Sequence, residues 1–313
     1  MKDYLVVRTH GLKSRLLTKK NYEDLVYSRA SLAHFGYLEA PEEHYTLHEI
    51  LDKITQKYIQ RIEFLSKTLT ETSNFFKMFL EELEIENIKA KIRSIYGSRE
   101  KKGYLYPYSH FISLTILKRA ATLYELEKLL EKTPLKLPLR KLAKKNPQLP
   151  LLALDSLYYI LLKNSLKVSR DSRKEILELI NYESLIKLLY WILVIGKENL
   201  RNREILSILK SLYPKERALT ISLESLATKL KLDYNKIINN LKLNKISEIL
   251  LLAESNLIKR AKHKALFNAI TAVYVYYYML LCRNERRNLE KIIIGRELKL
   301  SPQVILSSLI YPP

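Results

Sequence analysis

Two Glu/Asn pairs, Glu84 with Asn87 and Glu285 with Asn288, are the residues whose types and spacing could do acid/base chemistry. Three-residue spacing puts both members of each pair on one helix face, where a carboxylate and an amide could hold a shared proton. The pattern recurs in the chain, and a recurring Glu/Asn pair reads as a polar clamp between helices, since one reaction needs only one site. His44 and His48 have the i, i+4 spacing of a helical metal pair, with Glu43 beside them and His34 further upstream. Pro41 and a capping sequence at Thr46 place His44 ahead of the helix, so no metal site is expected. Cys282 lies next to Arg283, but neighbouring helical residues point apart, and a buried, inert thiol is the expectation. Gly196-Lys197 lacks the upstream glycine of a phosphate loop, Trp191 standing five residues before Gly196. No G-x-G-x-x-G and no G-x-S-x-G occurs. The sequence therefore offers no catalytic, cofactor or metal residues.

The elements that carry these residues read as helices throughout. Between Pro41 and Pro107 there is no proline, and between Gly36 and Gly97 no glycine, which leaves room for two long helices. The first opens at a capping box, Thr46 to Glu49, and its apolar face runs Leu47, Ile50, Leu51, Ile54, Tyr58, Ile62, Leu65, Leu69. The second face runs Phe76, Phe79, Leu80, Leu83, Ile88, Ile92, Ile95, with Gly97 placed to stop it. A further capping box, Thr122 to Glu125, opens a short helix through Leu130, after which Pro134, Pro138, Pro147 and Pro150 predict a loop. Helices resume over 151–162 and 172–195, and Ser301-Pro302 begins a last short one. The tyrosine run Tyr274, Tyr276, Tyr277, Tyr278 is expected to line the core on one side and leave one or two rings for a partner.

The net charge of +21 is unevenly placed. Residues 1–100 carry 16 Lys/Arg against 15 Asp/Glu, residues 101–205 carry 20 against 10, and residues 206–313 carry 18 against 8. The excess gathers in Lys128, Lys132, Lys136, Arg140, Lys141, Lys144 and Lys145, and again in Lys259 to Lys264, including Arg260. Such surfaces attract an anionic membrane, an acidic protein or nucleic acid. With one cysteine no internal disulfide can form. Met1–Arg8 mixes charged and apolar residues and does not read as a secretory signal, and the longest apolar runs, 188–196 and 271–282, are too short to span a bilayer.

Self-similarity organises the chain. Gly97, Gly196 and Gly295 lie 99 residues apart, each after a related helix sequence: Glu84-Ile85-Glu86-Asn87-Ile88, Asn181-Tyr182-Glu183-Ser184-Leu185 and Glu285-Arg286-Arg287-Asn288-Leu289. The leucine motif recurs at Tyr22–Leu25, Tyr124–Leu126 and Leu223–Leu226. Three helical repeats, 1–100, 101–205 and 206–313, account for both patterns.

The stretch from Leu12 to Leu25, the signature from Tyr278 to Gly295 with Leu300 to Ile305, and Glu84 to Ile92 are similar to the C subunit of the archaeal A-type (V/A-type) ATP synthase, the relative of the d subunit in eukaryotic vacuolar ATPases. The resemblance runs the whole length, with Ser184 standing where asparagine is expected. It implies an all-α fold of three similar helical domains in a pseudo-threefold funnel. It further implies a non-catalytic central-stalk subunit at the cytoplasmic face of the membrane, joining the proteolipid rotor ring to the central shaft subunits and binding neither nucleotide nor cofactor. A basic helical nucleic-acid-binding protein would account for the charge but not for the repeat register. A generic adaptor overlaps with the favoured reading.

Overall fold

The computed structural model describes residues 2–68, 73–97, 103–195, 223–243 and 245–312. All regular structure among them is helical. The elements are α1 (Lys2–Lys13), α2 (Lys19–Val26), a 3-10 turn (Glu42–His44), α3 (Leu47–Thr68), α4 (Ser73–Tyr96), α5 (Leu114–Arg119), α6 (Leu123–Leu130), α7 (Leu139–Lys145), α8 (Leu149–Ser165), α9 (Arg170–Ile195), α10 (Leu223–Leu230), α11 (Tyr234–Lys242), α12 (Ile246–Phe267), α13 (Ala272–Glu297) and α14 (Pro302–Ser307). No described helix is long and apolar enough to cross a membrane.

The caps form as the sequence dictates. Thr46 and Glu49 bond reciprocally, the Glu49 amide to Oγ1 at 3.3 Å and the Thr46 amide to the Glu49 carboxylate at 2.7 Å. At α6 the Glu125 amide donates to Thr122 Oγ1, but the Glu125 carboxylate reaches past the cap to the Ala121 amide. The leucine motifs fall in α2, α6 and α10, and each buries its leucine: Leu25, Leu126 and Leu226.

Three expectations need correction. The proline-rich stretch after α6 is not a plain loop. The seven proline-free residues from Leu139 to Lys145 form α7, with Leu139 and Ala143 buried one turn apart. Pro150 sits in the first turn of α8, where its missing N–H costs nothing. Gly295 does not end its helix, because α13 runs on to Glu297. A Cβ there would stand 2.8 Å from Ile305 Cγ1, so glycine is needed for α14 to lie against α13. Gly97 does end α4, and its amide bonds to the Arg93 carbonyl at 2.8 Å. Gly196 lies outside the described residues. Finally, all four tyrosines of the run are buried, so none is left for a partner.

The chain forms two compact units. Unit 1 comprises Met1–Ser73, Lys167–Leu179 and Asn235–Pro313. Its centre is α13, which packs on α1, α2, α3, α12 and α14. Every residue from Val273 to Arg286 is buried, the signature of a helix enclosed on all sides. The apolar core joins Leu17, Tyr22, Leu25 and Ile54 from the start of the chain to Leu289, Ile292, Ile305 and Leu309 from its end. Unit 2 comprises Asn74–Leu166 and Ile180–Tyr234. There α4 buries Phe79, Leu83 and Ile88, and α8 buries Leu149, Leu152 and Leu154.

Gly295→Ala should lower unfolding stability by about 1–3 kcal/mol, the usual range for overpacking. Ile305→Ala in the same chain should recover part of that loss, which a double-mutant cycle in urea would measure.

Candidate functional site

Glu285 sits near the middle of α13, 2% exposed, and its carboxylate is satisfied by three donors from unit 1. Oε2 accepts from the Leu17 amide at 2.5 Å. Oε1 accepts from the Tyr37 hydroxyl and the Arg61 guanidinium. Tyr37 reaches it because Gly36, at φ +66°, turns the chain in a conformation that side chains rarely adopt. Arg61 comes from α3. Burial works against its charge, yet the Glu285 carboxylate holds the guanidinium above its ordinary range. Burial, reinforced by the same carboxylate, pushes Tyr22 and Tyr37 well above the usual phenol range. Burial also pushes the Cys282 thiol up to about 12, which leaves it protonated and unreactive, as a buried cysteine should be.

One helical turn on, Asn288 grips the backbone of Ile310 from both sides, donating to its carbonyl at 2.7 Å and accepting from its amide at 3.1 Å. Asn284 donates to the same carbonyl at 2.8 Å.

The pair in α4 behaves alike. Glu84 accepts the amides of His110, Phe111 and Ile112, the last at 2.7 Å. Asn87 donates to the carbonyls of Tyr106 and Tyr108 and accepts from the Tyr106 amide at 2.7 Å. Glu84 and Asn87 therefore hold a non-helical backbone segment, whereas Glu285 joins α13 to the helix α3 through Arg61 and also holds the backbone at Leu17, with Asn288 holding it at Ile310. Ser184, which stands where the sequence pattern leads one to expect asparagine, cannot reach so far. Its hydroxyl donates to the Asn181 carbonyl of its own helix at 2.8 Å.

Two further polar centres lie in unit 2. Asp155 of α8 accepts from Lys89 at 3.0 Å and from the Trp191 indole at 2.8 Å, with Lys187 at 3.6 Å. Burial opposes its charge, but the two lysines hold its carboxyl below the usual range. Glu81 lies one turn before Glu84, and its Oε1 is 2.5 Å from His110 Nδ1. Burial and the Glu84 carboxylate push Glu81 up to about 9, and burial pushes His110 down. At neutral pH a protonated Glu81 thus donates to a neutral imidazole. The sequence carried one overlooked signal for these centres: Asp155 is the lone acid in an apolar helix. Arg61 and Tyr37 carried none, since they reach Glu285 only through the fold.

The basic surfaces take two forms. Lys128, Lys132, Lys136, Arg140, Lys141, Lys144 and Lys145 are all exposed on and between α6 and α7. Within that surface Lys128 and Arg140 approach the Tyr124 ring at 4.5 and 4.6 Å. A cleft of about 290 Å³ beside them is lined by Lys136 and Pro138, and also by Glu127 and Glu131. The second group is more engaged. Lys259 is exposed and Arg260 half-buried, while Lys264 is bound by Glu175 and Glu178 of α9. His44 lies in the 3-10 turn and His48 in the first turn of α3; no three metal-ligating side chains converge among the described residues.

A family model described as ATP synthase (C/AC39) subunit matches residues 5–308. No curated protein is similar enough to match.

Removing Arg61 leaves the Glu285 carboxylate buried with its main countercharge gone. Arg61→Met should therefore cost about 3–5 kcal/mol of unfolding stability in chemical denaturation. The folded chain keeps a proton on Glu81 that the unfolded chain has already released above about pH 5. That contribution makes stability fall between pH 7 and pH 9, by at most about 1.4 kcal/mol per unit. His110 acts in the opposite sense only below about pH 6.5. Glu81→Gln should flatten the fall, and an unchanged pH profile of the melting temperature would contradict the assignment.

Proposed function

The chain belongs to the ATP synthase (C/AC39) subunit family and is a subunit of a V/A-type ATP synthase, and on that ground we propose that it is the central-stalk subunit that couples the membrane proteolipid rotor ring to the central shaft. In this reading it is a non-catalytic linker at the cytoplasmic face of the membrane, held there peripherally, and it binds neither nucleotide nor nucleic acid. The segments 1–100, 101–205 and 206–313 are three related domains arranged with pseudo-threefold symmetry as a funnel.

One observation carries the coupling role. The enclosed helix α13 has 26 residues, and exposed apolar side chains flank both its ends. Leu266, Phe267 and Ile270 precede it, while Leu298, Leu300 and Val304 follow it. A 26-residue helix is roughly 39 Å long. A coupler needs its two ends held apart by something that does not bend, and a helix enclosed over Val273–Arg286 and pinned by Glu285 supplies the stiffness; in this reading the end at Leu298, Leu300 and Val304 docks on protein and the opposite end faces the membrane. The Glu/Asn pairs support the cyclic arrangement. Glu84 of the first segment grips residues 110–112 at the start of the second, and Glu285 of the third grips Leu17 at the start of the first. That is the pattern of a closed ring of three, with Ser184 as the weakened member. The basic residues Lys128, Lys132, Arg140, Lys141, Lys144, Lys145, Lys259 and Arg260 are the proposed contacts to acidic ring loops or anionic lipid.

The test is recovery of the tagged full chain from native membranes. Proteolipid ring and shaft subunits should come with it, and raising the salt should weaken the hold on the ring. A chain recovered without either partner would overturn the reading.

A further inference from the structure

In unit 1 the turn between α12 and α13 is joined to α1. His10 of α1 bonds through Nε2 to the Ala269 carbonyl at 3.0 Å, and its ring stacks on Tyr274 with centroids 3.6 Å apart. These contacts fix α1 to the turn. Four large apolar side chains then project from the joined elements: Val7 is 68% exposed, Leu266 64%, Phe267 77% and Ile270 70%. Connections between helices normally present polar residues to water, and single exposed apolar residues need no explanation. Three within five positions of one tight turn do need one. The nearest aromatic neighbour of Phe267 is the exposed His263, at 4.8 Å between ring centroids, so the phenyl ring is not tucked into the core.

The charge on the two stretches of chain that carry this tip has one sign. From Ser255 to Asn284 there is no acidic residue, and from Tyr4 to Tyr22 there is none either. The two stretches contribute Lys259, Arg260 and Lys262 from α12 and Arg8 and Lys13 from α1. Acids do approach from α9, but Glu175 and Glu178 are taken by Lys264. The density of positive charge is felt locally: burial and the neighbouring Lys262 ammonium hold Lys13 below its ordinary value.

We propose that the α12–α13 turn is an anionic-lipid contact, in which Leu266, Phe267 and Ile270 enter the headgroup boundary while Lys259 and Lys262 lie among the phosphates. An apolar tip with a cationic collar is the chemistry of an interfacial anchor. A protein partner would need acceptors of fixed geometry opposite these lysines; a fluid anionic surface supplies them without any geometric match. The tip stands at one end of the stiff helix α13, so the anchor fixes that end against the bilayer. The proposal rests on the function above only in placing a bilayer beside the chain.

Vesicles of phosphatidylglycerol with phosphatidylcholine, and of phosphatidylcholine alone, serve as the probe for the full chain. Co-sedimentation should be at least tenfold stronger with the anionic vesicles, and it should weaken as salt is raised. Phe267→Ser with Ile270→Ser should lose at least tenfold of it. These positions are exposed, so the melting temperature should hold. As an independent reading, Phe267→Trp should be quenched by lipids brominated near the headgroup in anionic vesicles. Equal sedimentation of the serine variant, or no quenching, overturns the proposal. So does a serine variant that keeps vesicle binding but loses its hold on a lipid-stripped proteolipid ring, which would make the turn a protein contact. A chain that recovers ring and shaft subunits yet ignores vesicles overturns this proposal and leaves the function standing. Vesicle binding without those partners supports this proposal and overturns the function.

Discussion

The stretch Val273–Arg286 of α13, closed to water on every side, must satisfy its buried charges from its neighbours, and Glu285 is one of them. Its carboxylate is partnered on both oxygens, because an amide from the segment before α2, a hydroxyl from the loop before α3 and a guanidinium from α3 all converge on it. The three donors come from separate places in the first fifth of the chain. The carboxylate therefore fixes the beginning of the chain onto its end, and the remaining contacts of unit 1 follow from that registration. Asn288 extends it by holding the backbone at Ile310, and Gly295 completes it by letting α14 approach.

The same device, used in α4, has a different consequence. Glu84 and Asn87 hold a segment that follows them in sequence, so they fold the chain forward instead of closing it. Glu84 takes backbone amides alone, whereas Glu285 takes one amide, a tyrosine hydroxyl and a guanidinium, and in both cases the carboxylate reaches beyond its own helix. Ser184 is too short to leave its own helix, and in unit 2 Asp155 lies between Lys89 and Lys187.

For a subunit of a rotary machine, this distribution of polar groups has mechanical meaning. Charges buried with full sets of partners are costly to misplace, so they hold a packed helix in a single register. Surface charge does different work. On α6 and α7 it is exposed, whereas near the α12–α13 turn it lies on elements that also expose large apolar side chains.

The helices, their caps, the repeat spacing and the family were legible in the sequence, because periodicity, capping boxes and motif register are local properties of the chain. Leu47 to Leu65 could be read as one buried face from periodicity alone, and the special status of Glu84, Asn87, Glu285 and Asn288 was legible from their recurrence. What these four hold was not legible, since most of their ligands are backbone groups that any sequence would provide, and Tyr37 and Arg61 are brought to Glu285 only by the fold. Nor was the burial of all four tyrosines, because a helix enclosed on every side shows no periodicity to read. Likewise α7 hid among prolines whose spacing left just enough room for two turns. Sequence alone determined the long periodic helices, their caps and the family. Only the tertiary structure decided which ends meet, because a buried carboxylate takes whichever donors the fold brings within reach.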